Sequence, residues 1–224
     1  MFSGGAEDDH QQVLSSNSRQ QAPVSRGLAQ PTTPADSMRQ LFQRSLEGPK
    51  MIIAVDARPR RAGGILKFQD DSGRKYLWYY SVDWDTCVNF SNDPFGQKPD
   101  RMELANALLA AYIAEDAFTI SDSEAVIFKL DNDVAVNRRK HPEIANKIAA
   151  IFDGRSVDYQ KVTKDTDTDM KNADMLSRGE YFKFDPKQRY PDFAVRSDKS
   201  DLASTYLRYV VQHLPPQNLR STAD

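Results

Sequence analysis

Residues 51–56, Met-Ile-Ile-Ala-Val-Asp, constrain the fold most: five apolar side chains in a row, closed by an acid. A run this short and without alternation reads as a strand covered on both faces. Such a strand needs a layer of structure above and below it, which points to an α/β domain. The ionised carboxylate of Asp56 at its end is costly unless it is paired or bound to a cation.

The rest of the chain supplies those layers. Residues 62–68 (AGGILKF) and 75–82 (KYLWYYSV) flank Asp70-Asp71-Ser72-Gly73, a turn signal between β-rich runs, and predict an antiparallel meander with the first strand. Phe68-Gln69-Asp70-Asp71 looks like a polymerase palm motif, but a palm needs a long folded stretch and another acid upstream, where this chain reads mostly as tail, so FQDDSG reads as the hairpin turn. Asp100-Arg101-Met102-Glu103 fits a capping box with Asp as the cap, ahead of the helical stripe LANALLAAYIA. Residues 124–130 predict a fourth buried strand, 133–137 a helix start, and 143–152 a helix with Pro142 in its first turn. Residues 156–162 alternate as a fifth strand, and a short helix over 172–177 follows. The aromatic, basic stretch 179–199 reads as irregular. Ser200 caps a last amphipathic helix reaching Leu214, with Leu202, Tyr206, Leu207, Val210, Val211 and Leu214 on its apolar side. The order βββ-α-β-α-β-α gives an antiparallel first half followed by crossover helices.

Composition sets the outer limits. Lys plus Arg is 30 and Asp plus Glu is 32, a formal charge of −2, which excludes a polycation that coats nucleic acid by charge alone but leaves room for a local basic patch. The apolar share of 39% is below the usual range of about 45–50% and implies a polar tail. Residues 1–35, rich in Ser, Gln, Pro, Gly and Ala, are that tail, expected to be disordered. Residues 36–49 read as a short helix (38–46) and linker, 50–178 as the folded domain, and 179–224 as an extension. A single cysteine, Cys87, allows no internal disulfide or thiolate metal cage, which favours an intracellular setting. No run approaches the roughly 18 apolar residues of a membrane span, and the N-terminus lacks the basic and apolar regions of a secretory signal.

Four acids fall at the ends of these elements: Asp56, Glu103, Asp131 and Asp174. Carboxylates at the ends of adjacent central strands converge at one sheet edge, where open α/β folds keep their sites. Gathered together they repel unless cations sit between them, and an all-oxygen set suits Mg²⁺ or Mn²⁺. Two such ions are the standard device for in-line attack on a phosphodiester. Each acid also has a plainer reading. Glu103 is accounted for by the capping box, Asp131-Asn132 by a turn or N-cap, and Asp174 by a cap of its own helix. Asp56 is the hardest to explain that way.

The local contexts add to this. Asp56 lies in VDARPRRAGGILKF, Glu103 in RMELANALLAA, Asp131 in FKLDNDVAVN and Asp174 in MKNADMLSRG. In that order they resemble the RNase H domain of retroelements, whose blocks run D-A-S, E-L-x-A, T-D-N-x-x-A-V and A-D-x-L-S-R. LDNDVAVN and NADMLSR are most similar to the branch found in tyrosine-recombinase (DIRS-like) elements and pararetrovirus-like polyproteins. The resemblance covers roughly residues 51–178 and implies a mixed five-stranded sheet, strands one to three antiparallel, flanked by helices. It implies an endonuclease that cuts the RNA strand of RNA–DNA hybrids with two Mg²⁺ ions (Mn²⁺ as substitute). Asp56 would bridge both ions, Glu103 and Asp131 would share the first, and Asp174 would hold the second.

Two departures qualify this. Where the family carries H-x-P-G-x-x-N-x-x-A-D, this chain has KDTDTDMKNAD, with Lys164 at the His position and Asp167 at the Gly position. The D-A-S serine is Arg58, followed by Pro59-Arg60-Arg61. His141 is a candidate substitute for the missing His, or simply a surface His at a helix start. Arg58, Arg60, Arg61, Arg138, Arg139 and Lys140 are candidate phosphate contacts, or a solvated patch. Asn132 is placed to contact an RNA 2′-hydroxyl or base edge. Tyr181, Phe182, Phe184 and Tyr190 either stack on single-stranded ends or pin the extension. The helix over 200–214 either docks a protein partner or packs on its own domain. Two functions therefore compete: an RNase H-type nuclease, and an inactive module of the same fold that binds nucleic acid or protein.

Overall fold

The computed structural model describes residues 51–84, 99–117, 125–133, 141–153 and 155–213. The chain divides into two units, Met1–Gln43 and Arg44–Asp224, and every described residue belongs to the second. The tail over 1–35, the helix expected over 38–46, Cys87, residues 134–137 of the expected helix start, Arg138, Arg139, Lys140 and Leu214 lie outside the described residues. Among those described, no helix is long and apolar enough to cross a membrane.

Six strands form one mixed sheet: β1 (Met51–Ala57), β2 (Arg61–Gln69), β3 (Lys75–Asp83), β4 (Ala125–Leu130), β5 (Ser156–Lys161) and β6 (Val195–Asp198). Their spatial order is β5-β4-β1-β2-β3-β6. β1, β2 and β3 pair antiparallel, while β4 joins β1 and β5 joins β4 in parallel. This is the α/β arrangement expected from the sequence, with the apolar run of β1 at its centre. The β2–β3 turn falls at Asp70–Gly73, where Gly73 takes a φ of 83° that other residues adopt only with strain. The Asp70 carboxylate accepts from the Ser72 and Arg74 amides at 3.0 and 2.9 Å.

The sheet has one strand more than expected. Val-Arg-Ser-Asp, within the stretch read as irregular, pairs in parallel with Tyr76–Tyr79 of β3. Four mostly polar residues carry no strand periodicity, so only the open edge of β3 makes them a strand.

Helices cover both faces. α1 (Pro99–Ala117) lies on β1 and β2, beside α2 (Pro142–Ile151). α3 (Thr168–Ser177) lies on the opposite face, also over β1 and β2. A 3-10 turn (Tyr181–Lys183), the short α4 (Pro186–Arg189) and α5 (Ser200–His213) complete the chain. Period-two alternation sorts the strand residues. Met51, Ile53, Val55, Leu66, Trp78 and Tyr80 join the large core under α1, whereas Ala54, Ile65 and Leu77 face α3. Asp56, in phase with Ala54, shares the α3 side.

The two glycines of AGGILKF serve one face each. A Cβ on Gly63 would stand 2.4 Å from the Ser177 nitrogen and 2.6 Å from the Ala173 oxygen, so only glycine lets α3 lie this close. A Cβ on Gly64 would enter the Tyr80 ring on the other side. A charge network ties the start of α3 to the sheet: Lys67 Nζ lies 2.6 Å and Lys129 Nζ 2.9 Å from Oδ2 of the buried Asp169, and Lys129 also reaches Asp167 at 2.6 Å.

α5 places its apolar side on its own domain. Ala203, Leu207 and Val210 are buried in the main core, and Tyr206 stacks on Tyr112 of α1. That side is therefore not the partner-docking surface the sequence left open. Phe184 and Tyr190 are likewise buried, packed with Ala54, Ile65 and Leu77, so they pin the extension and offer no face to a base. Phe182 is 83% exposed.

Candidate active site

Asp56 sits one residue before the end of β1, opposite Gly63 of β2, with 5% of its surface exposed. Its backbone carbonyl and that of Gly63 both accept from Asn106 Nδ2 of α1, at 2.8 and 3.0 Å. Asn106 in turn accepts from the Tyr80 hydroxyl at 2.6 Å. This buried polar knot holds the end of β1 against α1. The Asp56 carboxylate faces the other way, accepting a short hydrogen bond from Ser177 Oγ at the end of α3.

Glu103 is 4% exposed in the first part of α1. It does not close a capping box. The helix starts at Pro99, and the Glu103 carboxylate instead reaches the chain leaving β4, accepting from the backbone amides of Asp131 at 2.9 Å and Asn132 at 3.4 Å. Those two amides lie past the end of the β4 strand, and the carboxylate supplies an acceptor for both. Asp131 itself is exposed, directly after β4.

Asp174 lies in the last turn of α3, not at its start. The helix begins four residues earlier than the sequence suggested because Asp167 caps it, its side chain accepting from the Met170 amide at 2.9 Å. Asp167, noted only as a departure from the family glycine, is thus the cap. The Asp174 carboxylate is surrounded by basic side chains: Arg58 at 2.5 Å, Arg178 at 2.9 Å and Lys164 at 3.6 Å.

The acids act on one another electrostatically and fall into two halves. Burial pushes Glu103 up to about 8, with the Asp131 and Asp56 carboxylates adding to the rise and the two amides opposing it. Burial likewise raises Asp56 to about 6; the Ser177 bond and Arg58 oppose this, while Asp131 and Asp174 add to it. Asp174 is the reverse case. Partial burial works to raise it, but Arg58, Arg178 and Lys164 outweigh that and hold it below the ordinary carboxylate range. One half of the site is thus short of positive charge and the other is already supplied.

That division decides how well metal ions fit. As the side chains stand, no three acids among the described residues converge on a single point for an ion. Asp56, Glu103 and Asp131 nonetheless act on one another as like charges, and the two buried ones carry negative charge at a cost that a hard divalent cation would relieve. Asp174 does not fit an ion in the same way, because guanidinium groups stand against both of its oxygens.

Arg58, Arg60 and Arg61 border this edge on the β1–β2 connection. With Pro59, Asp83, Ser177, Arg178 and Gly179 they line an open pocket of about 690 Å³. Arg60 is exposed, and Arg61 lies 3.4 Å from Asp83 and over Gly179, whose φ is 72°. Asn132 contributes its amide to Glu103. His141 stands at the N-cap position of α2 without a side-chain capping bond; its side chain is only 12% exposed, with Nδ1 3.8 Å from Glu143, so it is at the helix start but not on the surface. Sequence reasoning missed Ser177, Arg178 and Asn106 as site residues. Ser177 and Arg178 lie inside the ADMLSR block beside Asp174, and Asn106 is the one polar side chain within the apolar run LANALLAA, so a signal existed for each.

No protein-family model and no curated protein matches the sequence. Among solved structures, the chain is similar to RNase H1 from the halophilic archaeon Halobacterium salinarum NRC-1, at 11% identity over 58% of this chain and 98% of that one, with a TM-score of 0.37. It is also similar to LC11-RNase H1 in complex with an RNA/DNA hybrid, at 18% identity over 56% and 90% of the two chains, TM-score 0.34. A third similar structure is the yeast mitochondrial Holliday junction resolvase, at 10% identity over 75% of each chain, TM-score 0.32.

Proposed function

We propose that this chain is a metal-dependent endonuclease that hydrolyses the RNA strand of RNA–DNA hybrids, in the manner of the retroelement RNase H domains its motifs resemble. The observation that carries this reading is the electrostatic meeting of Asp56, Glu103 and Asp131 at one sheet edge, two of them buried and held above their ordinary pKa range by their surroundings. Buried acids with such raised pKa values cluster at functional sites. Asp56, Glu103 and Asp131 would hold Mg²⁺ or Mn²⁺; the second ion that the resemblance places at Asp174 does not fit there beside the guanidinium groups on both of its oxygens. Bound there, a divalent cation lowers the pKa of water and neutralises charge on the phosphate under attack.

The chain's own groups supply the rest. Arg60, Arg61 and Arg178 at the rim of the pocket would take backbone phosphates of the incoming strands, and Arg138, Arg139 and Lys140 would extend that grip. Asn132, held against Glu103 by its amide, would read the 2′-hydroxyl that distinguishes RNA from DNA. Ser177 orients Asp56, and Lys164 stands near Asp174 where the family carries His, so the family's proton chemistry at that point is not available in the same form.

The basic surround of Asp174 favours a second reading, an inactive module that binds nucleic acid through the same arginines. Cleavage of a labelled RNA–DNA hybrid in Mg²⁺, beside an Asp131→Asn variant, separates the two. The nuclease reading expects RNA products from wild type and a loss of at least about a hundredfold in the variant, on the order of one general catalytic contribution. Binding without cleavage by either form would establish the module instead.

A further inference from the structure

The 3-10 turn Tyr181–Lys183 begins two residues after Gly179, which lines the arginine pocket. The turn is anchored on both sides. Tyr181 donates its hydroxyl to Asp198 of β6, and its ring centroid lies 6.1 Å from that of Tyr79 on β3. Phe184, which is buried, meets the same Tyr79 ring at 5.0 Å. Two backbone bonds close the turn, from the Lys183 amide to the Glu180 carbonyl at 2.9 Å and from the Phe184 amide to the Tyr181 carbonyl at 3.0 Å. Between these anchors Phe182 belongs to neither core and is 83% exposed. A ring presented on so fixed a turn loses little freedom when a ligand covers it.

Its surroundings are basic. Lys183 Nζ lies 5.5 Å from the Phe182 ring centroid, with Glu180 as its counter-ion at 3.2 Å. Three residues of chain span at most about 11 Å, so the Phe182 backbone stands within that distance of Gly179 and the pocket edge. The pocket sets Arg58, Arg60, Arg61 and Arg178 against one acid, Asp83. Arg58 and Arg178 are bonded to Asp174 and Arg61 to Asp83, whereas Arg60 is exposed and no acid among the described residues pairs with it. At about 690 Å³ the pocket has room for a phosphate together with its sugar.

A basic pocket next to a free aromatic face suits a ligand that is anionic along its backbone and flat at its side groups. In a duplex the faces of each base are covered by its neighbours, so an exposed ring stacks only on a base that has left the helix. A protein contact would build on contiguous apolar surface, whereas Phe182 has the charged Lys183 and Glu180 beside it. We propose that Phe182 is a stacking platform for an unpaired base, so that the chain binds nucleic acid in which a single strand leaves a duplex. The phosphates of that strand lie over the arginine pocket, with Arg60 the guanidinium most available to them. This rests on the nuclease reading above and adds to it the class of substrate, a hybrid with a single-stranded tail.

Binding measured without cleavage tests this. The full chain is titrated in EDTA against three fluorescent probes, followed by anisotropy: a blunt RNA–DNA hybrid, the same hybrid with a single-stranded tail on either strand, and a blunt hybrid lengthened to carry the same added charge. Wild type is compared with Phe182→Ala and Phe182→Trp; the exposed ring lies outside both cores, and unchanged affinity for the blunt hybrid checks that each variant is folded. Wild type is expected to bind a tailed hybrid about tenfold more tightly than the lengthened blunt one, as one stacked base supplies. Phe182→Ala should lose that preference, and Phe182→Trp should keep it. The fluorescence of the new tryptophan should be quenched by the tailed hybrid and not by the blunt one, over the signal of the buried Trp78 and Trp84. A preference that survives in Phe182→Ala would overturn the role of the ring. Equal affinity for the tailed and lengthened hybrids in wild type would overturn the proposal and leave Phe182 to a protein contact. Both results leave the nuclease reading intact, because that reading is carried by cleavage of the blunt hybrid in Mg²⁺. No binding of any probe by any form would overturn both.

Discussion

Raising the pH from about 5 to about 8 in a chelating buffer should destabilise this protein, and Glu103 should be the main reason. Its carboxyl is raised from 4.5 to about 8, first by burial and then by the charge of Asp131. Between those two values the unfolded chain has lost the proton and the folded chain still holds it. The folded form therefore binds more protons, and stability falls as pH rises through that window; the contribution is whole below 4.5 and gone above about 8. At about 1.4 kcal/mol per pH unit, a rise of that size corresponds to a loss on the order of 5 kcal/mol. Asp56, raised from 3.8 to about 6, has the same sign over a lower window, on the order of 3 kcal/mol. The two are neighbours, so these figures are ceilings and do not add. Asp174 has the opposite sign and acts only below the ordinary carboxylate range, outside the interval tested. Even half of this loss is large beside the roughly 5–15 kcal/mol that holds a typical domain together.

The assay is urea unfolding of wild type and Glu103→Gln at both pH values with EDTA present. Glutamine keeps an oxygen for the amides of Asp131 and Asn132 and carries no charge, so the variant should lose much less stability on going to high pH. Adding Mg²⁺ at the higher pH should restore wild type more than the variant, because an ion bound only to the folded form stabilises by mass action. Equal losses in wild type and Glu103→Gln would refute the reasoning, since the burial and repulsion assigned to Glu103 would then have no thermodynamic effect.

Two further outcomes follow from the packing. Gly63→Ala places a Cβ against the backbone of α3, 2.4 Å from the Ser177 nitrogen, so the helix must lift away and take Ser177 and Asp174 with it. The expected cost is about 1–3 kcal/mol by thermal melt with hybrid cleavage lost; a variant as active as wild type would show that α3 need not touch β2 there. Asn106→Leu leaves the carbonyls of Asp56 and Gly63 and the Tyr80 hydroxyl without their shared partner. At about 1–3 kcal/mol per buried group left unpaired, urea unfolding should register a loss of several kcal/mol, and a change below about 1 kcal/mol would contradict the proposed knot.

Elements with a strong period were legible residue by residue. The β1 run, the β2–β3 hairpin around Gly73 and the apolar stripe of α1 follow from alternation, turn chemistry and helical spacing, and each end observed lies within a few residues of the expected one. β6 was not legible, because Val195–Asp198 is a strand only by pairing with the exposed edge of β3. The start of α3 was misplaced because the Thr-Asp loop offers several acids of equal capping propensity, and the fold uses Asp167 as the cap. The role of Glu103 was misread for a related reason: the capping-box spacing is local and visible, whereas the amides of Asp131 and Asn132 are distant in sequence and adjacent only in space.

The amino-acid sequence by itself determined which acids end which elements, since hydrophobic periodicity sets where strands and helices stop and Asp56, Glu103, Asp131 and Asp174 stand near those boundaries. Tertiary structure decided what each acid experiences. Burial depends on the layers above and below: α1 and β4 remove Glu103 from water, while α3, resting on Gly63, brings Asp174 and Ser177 up to the face that carries Asp56. It also decided that Arg58, in sequence only one of several basic residues after β1, is the one placed between Asp56 and Asp174. Charge and solvation act over a few ångströms of space, and that distance is set by packing, not by position along the chain.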